Sequence, residues 1–224
     1  MGCTDGPGDQ AARRLADGRL NEWFLDPLHG RGYPQHVVNT LREPMEFVKD
    51  GDLERIAQPL DFLGVNYYTR SVLKENRDDA TRPHALEAPE DNRTDIGWEI
   101  VPEGLTELLM WLHATYEPKE VYVTENGAAY HTPPDASGRV PDVERQRYLH
   151  AHLHAILDAR DRGVPVNAWF VWSLLDNFEW GFGYEQRFGI VWVDYETQER
   201  IIKDSGRWLQ KVCATRTIAD ERNA

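Results

Sequence analysis

A glutamate at the end of an apolar run is the residue of this sequence best placed to do chemistry. Glu125 follows the β-branched run at 121–124 and precedes Asn126 and Gly127, a pair typical of a turn. Glycoside cleavage with retention needs two carboxyl groups, one of which attacks the anomeric carbon. A carboxylate held rigidly at a strand end could do so. An isolated Glu-Asn-Gly could equally begin an ordinary loop.

Other residue types that suit a sugar site end neighbouring apolar runs. Tyr68 ends an earlier run, where its hydroxyl could donate to a carboxylate and keep it ionised. Trp172 ends a later run and offers a flat surface for a pyranose ring. Glu179 and Trp180 add a charged acceptor for hydroxyls beside a second indole. Core packing accounts for most of the 8 Trp, 9 Tyr and 7 Phe, so their number alone does not distinguish the two interpretations.

The elements that position these residues follow from hydrophobic periodicity. The runs at 62–68, 121–124 and 168–172 predict three strands, and the first has the pattern of a strand buried on both faces. Helices are predicted between them, one opened by Pro102 and one capped by Asp142. Strands separated by amphipathic helices imply a parallel sheet, whose carboxyl edge carries function in barrels and open sheets alike. The first strand is not followed by GxGxxG, which argues against a nucleotide-binding open sheet.

Further segments have weaker signals. We expect helices over 9–20 and 43–56, a long polar loop over 76–95, and a small hairpin over 188–195. A final helix should carry Trp208, Leu209 and Val212. The helix after Asp142 should present an apolar face of leucines and isoleucine: Leu149, Leu153, Ile156 and Leu157.

Several of these runs, in this order and spacing, resemble family 1 glycoside hydrolases. The run at 123–127 is similar to the family's nucleophile motif, and the run at 61–68 to its sixth-strand signature. The runs at 172–180 and 187–190 resemble its eighth-strand region, and the Trp-Phe-Leu-Asp-Pro at 23–27 a segment after its fifth strand. The resemblance extends over about residues 4–212.

The resemblance implies a fold and a set of roles. The fold would be a partial (β/α)8 TIM barrel of roughly the last three βα units plus the helical region after strand five. Residues 1–224 would form a single, incomplete domain. Glu125 would be the nucleophile of a β-glucosidase, hydrogen-bonded by Tyr68. Binding of the glycone would fall to five further residues: Asn66, Trp172, Glu179, Trp180 and Phe188.

The resemblance also implies a missing acid/base residue. The family's amino-terminal half supplies that Glu in Asn-Glu-Pro, a tripeptide that this sequence lacks. Glu22 precedes Trp23, and Glu43 lies in the predicted 43–56 helix, so neither suits the role. We therefore expect a truncated or split product that is inactive alone and pairs with an amino-terminal half. Two alternatives remain, namely a sugar-binding module without turnover and a defunct remnant that does not fold.

Composition limits the partners and the compartment. Asp plus Glu number 38 against 25 Lys plus Arg, a net charge of −13 that disfavours binding to nucleic acid and to anionic membranes. The first six residues lack the basic and apolar regions of a signal peptide, and Cys3 and Cys213 cannot form a disulfide framework, so we expect a cytoplasmic protein. No cofactor or metal is expected: His150, His152 and His154 lie on one predicted helix, and His150 and His154, which share a face at i, i+4, are read as a solvated face. The expected ligand is a β-glucoside or a short β-linked oligosaccharide, with glucose, galactose and fucose left open.

Overall fold

The computed structural model describes residues 6–218, which group into two compact units. Among these described residues, one unit covers 62–70 and 88–218, and the other covers 6–61 and 71–87. Residues 1–5, which include Cys3, and residues 219–224 lie outside the described part. Cys213 is a free, exposed thiol.

The larger unit is built on a parallel three-stranded sheet. Its strands are β1 (Leu63–Asn66), β4 (Val121–Asn126) and β5 (Val166–Val171), in the order β1–β4–β5. Helix α5 (Pro102–Tyr116) connects β1 to β4, and α6 (Val143–Asp161) connects β4 to β5. Both connections are crossovers between parallel neighbours, so the predicted βαβ units are confirmed.

The core of this unit lies between the sheet and its helices. Leu105 and Leu109 of α5, Leu149 of α6, and Val121 and Val123 of β4 are all fully buried. These positions recur every three or four residues in the helices and every second residue in the strand, as burial of one face requires. Helix α5 packs against α6, and α6 packs against α7 (Asp204–Thr215).

The first strand is buried on one face only, which corrects the prediction from its apolar composition. Leu63 and Val65 are buried, whereas Gly64 and Asn66 are exposed. A continuous apolar run signals burial of both faces only when a second layer covers each face. Within residues 6–218, β1 and β5 each have one unpaired edge.

Segments after β5 differ from the expected hairpin. A 3-10 turn at Trp180–Phe182 precedes β6 (Val191–Val193), which pairs antiparallel with β7 (Arg200–Ile202). The hairpin therefore spans residues 191–202, and its second strand lies beyond the predicted 188–195. Phe188 and Gly189 instead run along the end of β5, where the amide of Ser173 donates to Phe188.

The other unit is mostly helical. It contains α1 (Pro7–Asp17), a π-helical turn (Gly18–Glu22), α2 (Trp23–Leu28), α3 (Gln35–Val38), α4 (Asp52–Ile56) and a hairpin of β2 (Leu73–Lys74) with β3 (His84–Ala85). The predicted helix over 43–56 is wrong except for α4. Pro44 disfavours helix at residue 43, and Gly51 enters α4 with a φ of 85°, so the turn of helix starts after it. The predicted 76–95 loop contains β3 and a 3-10 turn at Glu90–Asn92.

Among residues 6–218, no helix combines the length and the apolar character that crossing a membrane requires.

Candidate active site

The carboxyl ends of β1, β4 and β5 meet at one edge of the sheet. Asn66 at the end of β1 is in register with Glu125 near the end of β4. The amide of Trp172, one residue beyond β5, donates to Asn126 at 3.0 Å. A Cβ at Gly127 would lie 1.9 Å from the Trp172 carbonyl oxygen, so only glycine permits this approach of the two strand ends.

Glu125 and Tyr68 form a direct hydrogen bond. The Tyr68 hydroxyl donates to Glu125 Oε2 at 2.7 Å, across 57 residues of sequence. Burial, then this hydrogen bond and the charge of Glu125, raise the pKa of the Tyr68 phenol above its usual range. The phenol therefore keeps its proton over the ordinary pH range and remains a donor to the carboxylate. The expected pairing of these two side chains is present.

A cavity of about 590 Å³ opens at this edge. Its lining includes all seven residues expected from the sequence at a sugar site, with three more: Asn66, Tyr68, Glu125, Trp172, Glu179, Trp180 and Phe188, then Trp98, Asn177 and Phe178. The lining combines two carboxylates, two amides and six aromatic rings. Such a surface can accept hydrogen bonds from hydroxyls and pack against the C–H faces of a sugar ring.

Aromatic residues form one wall of the cavity. Phe188 is 2% exposed and contacts Tyr68 edge-on at a centroid distance of 5.9 Å. Trp98 contacts both Tyr68 and Phe188, at 5.2 and 5.9 Å. The sequence carries no local signal for Trp98, because it follows a charge-rich loop and lies outside the predicted strands. Only long-range packing brings it to the site.

The second carboxylate of the cavity lies in the loop that follows β5. Glu179 is partly buried, and its amide donates to Gly183 at 2.6 Å. Desolvation, and next the negative charge of Glu125, raise the pKa of Glu179. Trp180 beside it also lines the cavity, and 82% of this residue is exposed to solvent.

Asp176, in the same loop, does not line the cavity but lies in a buried ion cluster. Its carboxylate accepts from Arg187 Nη1 and Lys203 Nζ, both at 2.8 Å, and from the amide of Gly189 at 2.9 Å. Asn177 lines the cavity and donates to Ser173 Oγ at 2.8 Å. The order of polar residues along this loop does not reveal which of their side chains face the cavity.

A second buried cluster replaces the expected helix cap. The Asp142 side chain makes no capping bond to α6. It accepts instead from Arg145 and, at 2.6 Å, from the Ser205 hydroxyl at the start of α7. Asp142 thus joins α6 to α7. These donors give its carboxylate more hydrogen bonds than a single capping amide of α6 would.

The histidines of α6 differ in exposure: of the two read as a solvated face, His154 is exposed and His150 is partly buried. His152 is fully buried and stacks on Tyr148 at 3.8 Å, while His154 is exposed. Burial lowers the pKa of His152 to about 4. Within residues 6–218, no group of three or more His, Cys, Asp or Glu side chains is placed to hold a metal ion.

The two glutamates rejected as acid/base candidates lie away from strand ends. Glu22 is in the π-helical turn that follows α1. Glu43 lies in an irregular turn and not in the predicted helix. Neither environment resembles the strand-end position that Glu125 occupies.

Comparison with known proteins identifies relatives over almost the whole chain. Residues 4–218 match the model of glycosyl hydrolase family 1. The 1,4-β-D-glucan glucohydrolase of Thermotoga neapolitana is 45% identical over 94% of this chain and 47% of its own length. A β-glucosidase of Agrobacterium is 41% identical over 92% of this chain and 45% of its own length. The chain thus spans about half the length of these relatives.

Solved structures give the same result. The AHE enzyme of Alicyclobacillus herbarius is 48% identical, with a TM-score of 0.91 over 95% of this chain and 48% of its own. The family 1 β-glucosidase of Thermotoga maritima is 39% identical, with a TM-score of 0.90 over 98% of this chain and 50% of its own. The parallel sheet is therefore part of an α/β barrel. By sequence and by structure, the chain belongs to glycosyl hydrolase family 1.

Proposed function

We propose that this chain supplies the nucleophile side of a retaining β-glucosidase. The observation that carries the proposal is the Glu125 carboxylate, bonded by the Tyr68 phenol at 2.7 Å within an aromatic cavity at the strand ends. A carboxylate so placed can attack an anomeric carbon from the face opposite the leaving group. Membership of a family whose relatives are named β-glucosidases supports the same reaction.

The proposed reaction has two steps. Glu125 forms a bond to the anomeric carbon while the bond from that carbon to the leaving oxygen breaks, giving a covalent glycosyl-enzyme. Water then displaces Glu125 and restores the original configuration. Tyr68 holds the carboxylate in place through both steps by donating a hydrogen bond to it.

Protonation of the leaving oxygen needs a second carboxyl group. The sequence lacks Asn-Glu-Pro, and the family resemblance implies that this acid belongs to the amino-terminal half of the barrel. General acid catalysis contributes roughly 10²–10⁴ in rate, so we expect this span alone to hydrolyse alkyl glucosides very slowly. The hydrolysis of aryl glucosides should be slowed less, when their leaving group departs without a proton. We infer that residues 1–224 form one incomplete domain completed by such a half.

Five lining residues would bind the glycone. Trp172 would stack under the ring, while Glu179 and Trp180 would bind its distal hydroxyls and Asn66 and Phe188 would line the rest. A phosphorylated sugar is disfavoured, because the carboxylates of Glu125 and Glu179 would repel a phosphate dianion. Thermotoga maritima β-glucosidase has been solved with glucoimidazole and with a galacto-hydroximolactam, which supports tolerance of both glucose and galactose configurations. A cytoplasmic location stays a prediction.

Covalent labelling tests this proposal. The chain is incubated with 2,4-dinitrophenyl 2-deoxy-2-fluoro-β-D-glucoside, whose leaving group departs without a proton. We expect a mass increase of one fluoroglucosyl group on the peptide that contains Glu125, and none in Glu125→Gln. Sugar-dependent tryptophan fluorescence without labelling would favour a non-catalytic sugar-binding module. Absence of a cooperative thermal transition would favour a remnant that does not fold.

A further inference from the structure

A series of buried hydrogen bonds outside the cavity lining connects Asn126, the neighbour of Glu125, to the main chain of Tyr68. The Asn126 side chain, which is fully buried, donates from Nδ2 to the carbonyl of Tyr67 at 2.8 Å and to the Tyr148 hydroxyl at 3.2 Å. The Tyr148 hydroxyl in turn donates to the carbonyl of Tyr68 at 2.9 Å. Tyr148 thus joins the residue next to Glu125 to the main chain of Tyr68.

These hydrogen bonds lie where the strand ladder is irregular. The pairing of β1 with β4 shifts register between Val65 and Asn66, and that of β4 with β5 shifts between Val123 and Asn126. A shifted ladder fixes the strand ends less firmly than a regular one. Side-chain bonds from Asn126 and Tyr148 are therefore available to fix the separation between β1 and β4 at the site.

Tyr148 is itself held in one orientation by α6. Its ring is 2% exposed and stacks on His152, four residues later, at 3.8 Å and 23°. His152 Nδ1 lies 2.8 Å from the Tyr148 carbonyl, and a carbonyl can only accept, so we assign the imidazole proton to Nδ1. Burial raises the pKa of the Tyr148 phenol, which keeps it protonated and able to donate. Tyr148 thus presents one fixed hydrogen-bonding state to the strand ends.

We propose that Tyr148 is a positioning residue that keeps the Tyr68 phenol and the Glu125 carboxylate at hydrogen-bond distance during attack. The proposal rests on the assignment of Glu125 as the nucleophile. Loss of the Tyr148 hydroxyl leaves the Tyr68 carbonyl without this donor, so the main chain that carries Tyr68 can move relative to β4. Neither Tyr148 nor Asn126 lines the cavity, so binding of the sugar should be spared.

Tyr148→Phe tests the proposal, with Tyr67→Phe as the matched control. Tyr67 is also buried, and its hydroxyl also donates to a carbonyl, that of Val101 at 2.7 Å, but this bond does not lead to Glu125. The maximal labelling rate and the half-saturating concentration of the fluoroglucoside are measured for each. We expect Tyr148→Phe to lower the maximal rate about 10- to 100-fold, as small misplacements of reacting groups do, and to leave half-saturation within about twofold.

The control separates positioning from mere stability. Both variants should lower the melting temperature, Tyr148→Phe somewhat more, since it loses a bond to a carbonyl and one from Asn126 whereas Tyr67→Phe loses only a bond to a carbonyl. Tyr67→Phe should retain the labelling rate within about twofold of the unaltered chain. Equal slowing in the two variants, or an unchanged rate in Tyr148→Phe, would overturn the proposal.

Two further measurements keep the inference independent of folding and of turnover. If Tyr148→Phe gives no cooperative melt, Asn126→Leu removes the donations from Asn126 to Tyr148 and to the Tyr67 carbonyl without adding a charge beside Glu125, and it is expected to lower the same rate. If the unaltered chain is never labelled, the proposed function fails, and crystal structures decide the inference. The Tyr68 Oη to Glu125 Oε2 distance should then exceed about 3.5 Å in Tyr148→Phe and stay bonded in Tyr67→Phe. A retained bond in both would refute the positioning role.

Discussion

Single side chains define the chemistry of the candidate site through one short contact. Glu125 is an ordinary carboxylate in type, and the hydrogen bond from Tyr68 fixes its orientation. The Tyr68 phenol donates to it at 2.7 Å, and the raised pKa of that phenol keeps the donor protonated. Glu179, the other carboxylate of the cavity, has a raised pKa because it is desolvated and because Glu125 is negative. The two acids are thereby distinguished by their surroundings.

Tyr68→Phe should slow attack by Glu125 while leaving the cavity intact. A hydrogen bond to a charged group contributes about 1.5–3 kcal/mol, so its loss in the transition state corresponds to roughly a 10- to 100-fold lower labelling rate. Tyr122→Phe is the control, since Tyr122 also donates to a carboxylate, that of Glu120 at 3.2 Å, at the opposite end of β4. Equal rates for Tyr68→Phe and Tyr122→Phe would contradict the role of Tyr68.

His152 should make the stability of the chain depend on pH. Burial lowers its folded pKa from 6.5 to about 4, so the unfolded chain binds the proton first as the pH falls. Stability from the buried neutral ring is complete above about pH 6.5 and is lost between there and pH 4. The loss amounts to about 3 kcal/mol at roughly 1.4 kcal/mol per pKa unit.

Denaturant unfolding at several pH values between 7 and 4 measures this loss. His152→Phe keeps a ring against Tyr148 and removes the titrating group, so its stability should fall less steeply with acid. His154→Phe alters an exposed histidine of the same helix and should follow the unaltered chain. Parallel curves for all three proteins would show that His152 does not contribute.

Elements of secondary structure meet at the site because buried polar groups join them. Asp176, after β5, bonds Arg187 before β6 and Lys203 before α7. Asp142 likewise bonds Ser205 at the start of α7 and Arg145 in α6. These clusters hold the loop that carries Glu179 and Trp180, because the loop leaves and rejoins the unit at Asp176 and Arg187.

Asp176→Asn should destabilise the larger unit strongly. It removes the negative charge shared by two buried cations, and breaking a buried pair costs about 3–5 kcal/mol because the remaining charge stays uncompensated. Asp158→Asn is the control, since Asp158 pairs with Arg162 at 3.1 Å on the exposed side of α6. Such surface pairs contribute at most about 1 kcal/mol. Urea unfolding measures both, and similar losses would contradict the importance of the cluster.

At the scale of the whole molecule, one face of β1 is exposed within the described residues, since Gly64 and Asn66 are exposed while Leu63 and Val65 are buried. Within residues 6–218, β1 and β5 each present an unpaired edge. Large apolar side chains are exposed in and beside the strands, among them Phe62, Phe170 and Leu174. Unpaired edges and apolar faces of this kind favour association with further strands. In an α/β barrel those strands belong to the remaining βα units.

Mixing this chain with the amino-terminal half of Thermotoga maritima β-glucosidase A, a relative 43% identical over 88% of this chain, should therefore restore hydrolysis. We expect an alkyl β-glucoside to be cleaved about 10²- to 10⁴-fold faster by the mixture than by either part, because the second half supplies the acid. Glu125→Gln in this chain is the control and should abolish the gain. No gain with the unaltered chain would argue against complementation.

The sequence by itself determined the repeating units and the chemical residues. Periodicity predicted α5, α6 and the parallel strands, and the family motifs predicted seven of the ten residues that line the cavity. Both signals are local, since they depend on spacing along the chain. Short segments without strong periodicity, such as 43–56 and 188–195, were predicted wrongly for that reason.

Tertiary structure alone decided which side chains support that site. Trp98 joins the cavity, His152 is buried under Tyr148, and Asp176 turns away into an ion cluster. These outcomes depend on contacts between residues distant in sequence, such as the 80 positions between Tyr68 and Tyr148. Burial and hydrogen-bond partners arise only when the elements pack, so no spacing along the chain could have revealed them.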